Sequence, residues 1–326
     1  MGRCCIRYDP HVCFMDPINK AILQSWNWRL EVIIPLLTLG YLYTAGWLRL
    51  RKRTADSRQK RPSAGRQPLT ATWRLVSYWA GLICIALSLL SPIDALGQQL
   101  FFMHMIQHLL LIMFAPPLLL IANPMPVVLW GLPDKWRLKA GYALGHVLHR
   151  DSQFRNVLRK ITAPGIIWLV WVIALFGWHD PSMYNAALRH EYIHDLEHLS
   201  FFIASMLFWW HITGAGPRIH RQFGYIARIA FVLAAVPPNM ALGVWLAFNN
   251  NVIYSYYEAV PRVWGISALT DQRIGGIIMW IPGSMMFLLA ALFLMSQYLG
   301  SEAEKPPLPV TEWSAEEKLI APGLEK

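Results

Sequence analysis

Two pairs of histidines in this 326-residue chain share one spacing. His104 and His108 lie in Phe102-Met103-His104-Met105-Ile106-Gln107-His108, and His194 and His198 lie in His194-Asp195-Leu196-Glu197-His198. On an α-helix this separation puts both imidazoles on one face, about 6 Å apart along the axis. Two such pairs at similar depth on different helices can offer up to four nitrogens to one ion. Neutral imidazole suits copper, zinc, nickel or iron, and thioether sulfur favours Cu(I). Met103, Met105, Met240, Met279, Met285 and Met286 supply thioethers, although each is individually a packing residue as readily as a ligand. A fifth histidine, His179, caps a helix in Trp178-His179-Asp180-Pro181. The doubled pattern is read as metal or heme binding, or as a hydrogen-bonded interhelical network.

Other candidates compete with this reading. His190-Glu191-Tyr192-Ile193-His194 matches H-E-x-x-H, in which two histidines bind zinc and the glutamate is a general base. Five residues with two free positions are a weak signal, and the stripe continues to His198. His211 and His220 read as packing residues, and His146 and His149 as part of a basic loop. Cys4, Cys5 and His11 could hold a soft metal, but Cys4, Cys5, Cys13 and Cys84 contain no spaced pair that signals a zinc site or a disulfide framework. Among acidic residues, Asp94 in Ser91-Pro92-Ile93-Asp94 reads as a cap or as support for a ligand. Asp271 reads either as orienting an imidazole or as pairing with Arg273.

The elements that position these residues are membrane helices. The chain is 55% hydrophobic and only 15% charged, well below the charge of an ordinary soluble domain. A crossing helix needs about 20 apolar residues. Seven stretches qualify, at approximately 30–49, 73–90, 100–122, 163–179, 195–214, 225–247 and 274–298. Pro116–Pro117 and Pro237–Pro238 should kink the third and sixth. No cleavable signal peptide is evident, the first long apolar run reading as a retained helix. The net charge of +10 does not point to nucleic acid, because the basic residues sit in short segments between apolar spans. Segment 49–66 holds Arg49, Arg51, Lys52, Arg53, Arg58, Lys60, Arg61 and Arg66. Segment 135–160 holds Lys135, Arg137, Lys139, Arg150, Arg155, Arg159 and Lys160, and a third loop holds Arg218 and Arg221. Positive loops stay inside. The expectation is an all-α polytopic protein with an extracytoplasmic N-terminal tail (1–29), a seven-helix membrane domain (30–298) and a cytoplasmic, disordered tail (299–326) with Pro306 and Pro307. Gly275 and Gly276 permit close helix packing. His104, His108, His179, His194 and His198 then lie at or just below the outer surface.

Taken together and in order, several runs resemble the caa3-type CtaG cytochrome c oxidase assembly factors. They are Ser91-Pro92-Ile93-Asp94, His104-Met105-Ile106-Gln107-His108-Leu109-Leu110 with Ala115-Pro116-Pro117, and Trp178-His179-Asp180-Pro181 with Tyr184. His194 and Glu197-His198-Leu199-Ser200-Phe201 through Phe208-Trp209-Trp210 follow, then Asp271-Gln272, Gly275-Gly276 and Met279-Trp280-Ile281-Pro282-Gly283. The resemblance spans roughly 73–298 and implies a bacterial plasma-membrane protein that handles copper while an oxidase is made. It favours His104, His108, His194 and His198 as ligands and leaves His190 outside the motifs. His179 and Met279 are then accessory or exchange ligands, with Asp271, Glu197 and Asp94 as supporting carboxylates. Expected partners are membrane lipid, oxidase subunits and other copper chaperones. A heme protein, a zinc protease and a metal-free scaffold are the alternatives.

Overall fold

The computed structural model describes residues 17–58, 69–149, 152–217, 219–220 and 223–303. Cys4, Cys5, His11, Cys13, Lys60, Arg61, Arg66, Arg150, Arg218, Arg221 and the segment 304–326 lie outside the described residues. Among the described residues every regular element is helical. α1 (Pro17–Gln24), α2 (Leu30–Arg58), α3 (Thr72–Leu90) and α4 (Pro92–Gly97) lead to α5 (Phe101–His108). α5 continues through a π-helical turn, Leu109–Phe114, into α6 (Ala115–Ile121). α7 (Pro124–Gly131), α8 (Asp134–Val147), α9 (Gln153–Ile161), α10 (Pro164–Trp178), α11 (Pro181–Arg189) and α12 (Glu191–Thr213) follow. Then come α13 (Tyr225–Leu233), α14 (Val236–Phe248), α15 (Tyr256–Ala259) and α16 (Ala268–Ile278). A second π turn, Met279–Gly283, joins α16 to α17 (Ser284–Ala303).

Five stretches are long and apolar enough to cross a bilayer: Leu30–Thr54, Thr72–Leu90, Phe101–Ile121, Tyr225–Phe248 and Ala268–Ala303. α9 and α10, bent by 52°, make a sixth if taken as one broken span. This is a multi-pass membrane architecture with five or six such spans where the sequence predicts seven. The difference lies in α10, whose 15 residues count only when joined to α9, and in α12. The case of α12 is the more telling. This helix has the length, 23 residues, but it carries Glu191, His194, Asp195, Glu197, His198 and His211, which depress its hydropathy. His194, Glu197, His198 and His211 are all buried against neighbouring helices, as polar groups within a helical bundle must be. The segment expected as a basic loop at 135–160 is largely helical, in α8 and α9.

The predicted proline effects take a specific form. Pro116 has no N–H for the Ile112 carbonyl four residues before it, so the helix widens into the π turn just ahead of it. The Trp209 indole N–H donates to that carbonyl at 3.1 Å. Around Pro282 the π turn begins at Met279, whose carbonyl accepts from Asn239 Nδ2 at 2.9 Å. Near Pro237–Pro238 the helix breaks at Ala234–Ala235. Side chains on adjacent helices thus satisfy carbonyls that water would serve in a soluble protein.

Small residues bring the backbones together. A Cβ on Gly275 would run into the Phe101 ring and one on Gly276 would lie 2.5 Å from the Ala247 nitrogen, so α16 meets α5 and α14 in direct contact. Arg49 Nη1 donates to the Trp130 and Leu132 carbonyls at 3.1 and 2.7 Å, capping α7. The guanidiniums of Arg53 and Arg137 lie over the Trp130 ring, 4.6 and 4.4 Å from its centre. The alternating directions of α2, α3 and α5–α6 put these cations at one end of the bundle. Asp94, His104 and Asp195 are at the other.

Candidate metal centre

The site begins with the placing of α5. Leu100 offers no side-chain cap to its first turn. Instead the Asp271 carboxylate on α16 accepts the backbone N–H of Phe101 and of Phe102, each at 2.9 Å. Arg262 Nη2 donates to the same carboxylate at 2.7 Å, while its Nη1 and Nε donate to the Tyr257 and Ile266 carbonyls. Asp271 therefore clamps α5, α16 and the loop between α14 and α16. Its ionic partner is Arg262, and Arg273, the partner considered from sequence, turns to Asn250 at 3.2 Å. Asp94 accepts from Gln107 Nε2 at 2.8 Å, and Gln107 also donates to the Ser88 carbonyl. Both carboxylates hold the helix that carries the histidines.

The two predicted pairs meet. His104 and His108 have Nε2 atoms 2.9 Å apart. The His104 ring centre lies 5.3 Å from that of His194 and 5.7 Å from that of His198. His108 and His198 are 5.2 Å apart by the same measure. All four rings are buried, with His104 wholly inaccessible. His104 Nδ1 is 2.9 Å from the Tyr184 hydroxyl, which is 3.3 Å from that of Tyr257, and Tyr257 donates to the Gly97 carbonyl. Burial pushes both phenols above the ordinary tyrosine range, so they stay protonated. A neutral hydroxyl either donates or accepts, so Tyr184 is compatible with both His104 tautomers, including the one whose Nε2 bears a free lone pair.

What distinguishes the cluster is the number of donor atoms left without a partner. His198 Nε2, His179 Nε2 and both carboxylate oxygens of Glu197 are buried and make no hydrogen bond. Glu197 Oε1 lies 3.6 Å from His108 Nε2, outside hydrogen-bond range. An orphaned buried polar atom costs about 1–3 kcal/mol, so several together require an explanation such as a missing ion. Two overlapping groups have ligand atoms within 4.8 Å of one another: His104, His194 and His198, and His104, His108 and Glu197. Glu197, assigned a supporting part from sequence, is thus geometrically a ligand candidate.

His179 ends α10 with Nδ1 donating to the Leu175 carbonyl at 2.7 Å. Its ring centre is 6.4 Å from that of His108. With His108 and Met279 it lines a cavity of about 40 Å³. His190 and Glu191 are exposed and stand outside both groups, so the H-E-x-x-H residues do not assemble around His194. At the other end of α12, His211 Nε2 donates to the Thr162 carbonyl at 2.9 Å, and His220 Nε2 contacts the Thr162 hydroxyl at 2.8 Å. His146 is exposed beside Tyr142, and Cys84 is half-buried within α3.

Sequence reading gave no role to Tyr257 or Tyr254, nor a separate one to Tyr184 and Gln107. Tyr254 donates to the His179 carbonyl at 3.1 Å and packs on Tyr184 with ring centres 4.0 Å apart. The available signal was the density of tyrosines in Tyr254-Ser255-Tyr256-Tyr257, within an otherwise polar loop.

Comparison with known proteins bears on identity. The chain is 25% identical over 287 residues to an uncharacterized protein of Mycobacterium leprae, an alignment that covers 83% of this chain and 39% of that protein. Uncharacterized proteins of Mycobacterium bovis and Mycobacterium tuberculosis are each 25% identical over 286 residues, covering 86% of this chain and 40% of theirs. The chain therefore spans about two fifths of the length of the curated relatives it matches. No solved structure matches it. The family described as cytochrome c oxidase caa3 assembly factor matches residues 41–301, most of the bundle and every residue of the cluster, and the chain belongs to that family.

Proposed function

We propose that this protein is a multi-pass assembly factor of the bacterial plasma membrane that holds copper as cargo, as Cu(I), and passes it to a cytochrome c oxidase subunit. The observation that carries the proposal is the convergence of buried imidazole and carboxylate donors in two overlapping groups, each with one member, His198 or Glu197, left without a hydrogen bond. By the positive-inside rule the basic end is cytoplasmic and the histidine end faces outward, where an oxidase subunit or another copper chaperone can reach it. The chemistry is exchange of ligands on a closed-shell ion, with no turnover. His104, His108, His194 and His198 are the principal donors, Glu197 adds or balances charge, and Tyr184 holds the His104 ring through Nδ1.

Copper is preferred to heme because the rings pack directly on one another, with centres 4.1–5.7 Å apart. The cavity beside them is about 40 Å³, far below the roughly 300 Å³ or more of pockets for larger organic ligands. The test is elemental analysis and absorption spectroscopy of the chain purified in mild detergent, with oxidase activity measured in the host. The expected result is about one tightly held copper per chain, with copper and oxidase activity both lost in the His104→Ala/His198→Ala variant. A chain that refuses copper supports the scaffold reading, a Soret band the heme reading, and stoichiometric zinc the protease.

A further inference from the structure

We propose that Cu(I) reaches the imidazole cluster laterally, between α10 and α14, with His179 and Met279 as transit ligands; this rests on the copper reading above. Two cavities flank His179. One is a cleft of about 350 Å³ lined by Phe176, Asp180, Pro181, Leu242 and Trp245 as well as His179. The other is the cavity of about 40 Å³ on the inner side, where His179 faces His108, Met105, Met113 and Met279. His179 is the one residue that lines both. It is 4% exposed. Its Nδ1 proton is committed to the Leu175 carbonyl, so in the neutral ring Nε2 carries the lone pair, and that atom is buried without a partner.

The donors on the two sides of His179 differ in kind. Asp180 lies in the cleft, exposed, its carboxylate accepting from the amides of Ser182 and Met183. It is an anion beside the mouth and attracts a cation. Beyond His179 the inner cavity offers the thioethers of Met105, Met113 and Met279 and the His108 ring. Imidazole with thioether is a soft donor set suited to Cu(I) and poorly suited to harder divalent ions. Each step replaces one donor by another and the copper stays Cu(I), so no electron or proton need be supplied. The π turns at Leu109–Phe114 and Met279–Gly283 both border the inner cavity. Such turns recur at functional sites because they re-aim side chains and leave local room.

The test follows Cu(I) transfer from its bicinchoninate complex to the full chain in detergent by stopped flow, with equilibrium copper content measured on the same samples. His179→Ala should load to the wild-type level but about tenfold more slowly, as expected when one ligand is lost from the limiting exchange. Met279→Leu, which keeps the volume and removes the thioether, should slow loading to a lesser degree. Ala241→Phe fills the cleft from the exposed face of α14 and removes no donor; it should slow loading even if His179→Ala fails to fold. Wild-type rates in His179→Ala or in Ala241→Phe would overturn the path. Loss of equilibrium copper in His179→Ala would overturn it too, by making His179 a resident ligand. If the wild-type chain itself takes up no copper, the copper reading fails, and the path with it.

Discussion

α12 carries histidines at both ends, and the two ends are built on opposite terms. At one end His211, with His220 beside it, is served by a single residue: the Thr162 carbonyl takes the His211 proton and the Thr162 hydroxyl meets His220. The Thr162 hydroxyl donates in turn to the Leu158 carbonyl, so this group closes on itself. At the other end His194 and His198 meet His104 and His108 beside a buried carboxylate, and nitrogen and oxygen atoms are left over. Burial alone therefore does not separate a packing histidine from a candidate ligand. The hydrogen-bond inventory does. A satisfied buried polar group adds stability, whereas an unsatisfied one costs it unless a partner arrives later.

The sharpest way to break this contrast is to remove donors from both groups at the unsatisfied end. His104→Ala/His198→Ala should weaken Cu(I) retention by about 100-fold or more, roughly 2.8 kcal/mol, in competition with a chromophoric chelator. Next in size is the clamp. Arg262→Met leaves the wholly buried Asp271 with its two amide donors and no cation. The expected loss is about 2 kcal/mol in detergent thermal unfolding, below the roughly 3–5 kcal/mol of a fully buried pair because Arg262 is partly exposed. Glu197→Leu should move two properties in opposite directions. Removing an orphaned carboxyl should stabilise the copper-free protein by about 1 kcal/mol and weaken copper retention about tenfold. A role in packing alone would change both in the same direction. The smallest effect is expected at the satisfied end, where His211→Ala should cost about 1 kcal/mol of stability by orphaning the Thr162 carbonyl and leave copper retention unchanged.

Much of this was legible in the sequence. The spacing of His104 with His108 and of His194 with His198 places each pair on one helix face, and the two faces do meet. Gly275 and Gly276 pack as their small size implies. The prolines were legible as perturbations, but their form was not: π turns depend on which neighbour can serve the freed carbonyl, and that was Trp209 on α12 and Asn239 on α14. The stretch 195–214, read from sequence as a span, falls in α12, which is not among the helices long and apolar enough to cross a bilayer, because hydropathy averages a helix over its whole circumference. A helix that points its charged groups into a bundle scores as too polar to cross. The true partner of Asp271 was hidden for a different reason. Arg273 is two residues away in sequence, but on a helix positions i and i+2 do not face each other, and the loop returns Arg262 to the carboxylate instead. Tyr257, on that same loop, reaches the cluster only through tertiary folding.

Copper is expected at the unsatisfied end of α12 and not at the satisfied end. Copper-edge X-ray absorption on the purified chain, loaded with one equivalent of Cu(I), tests it most directly. Imidazole scattering is expected in the wild-type chain and in His211→Ala/His220→Ala, and its loss in His104→Ala/His198→Ala. Copper that stays put in the latter variant, or that disappears with His211 and His220, would contradict it.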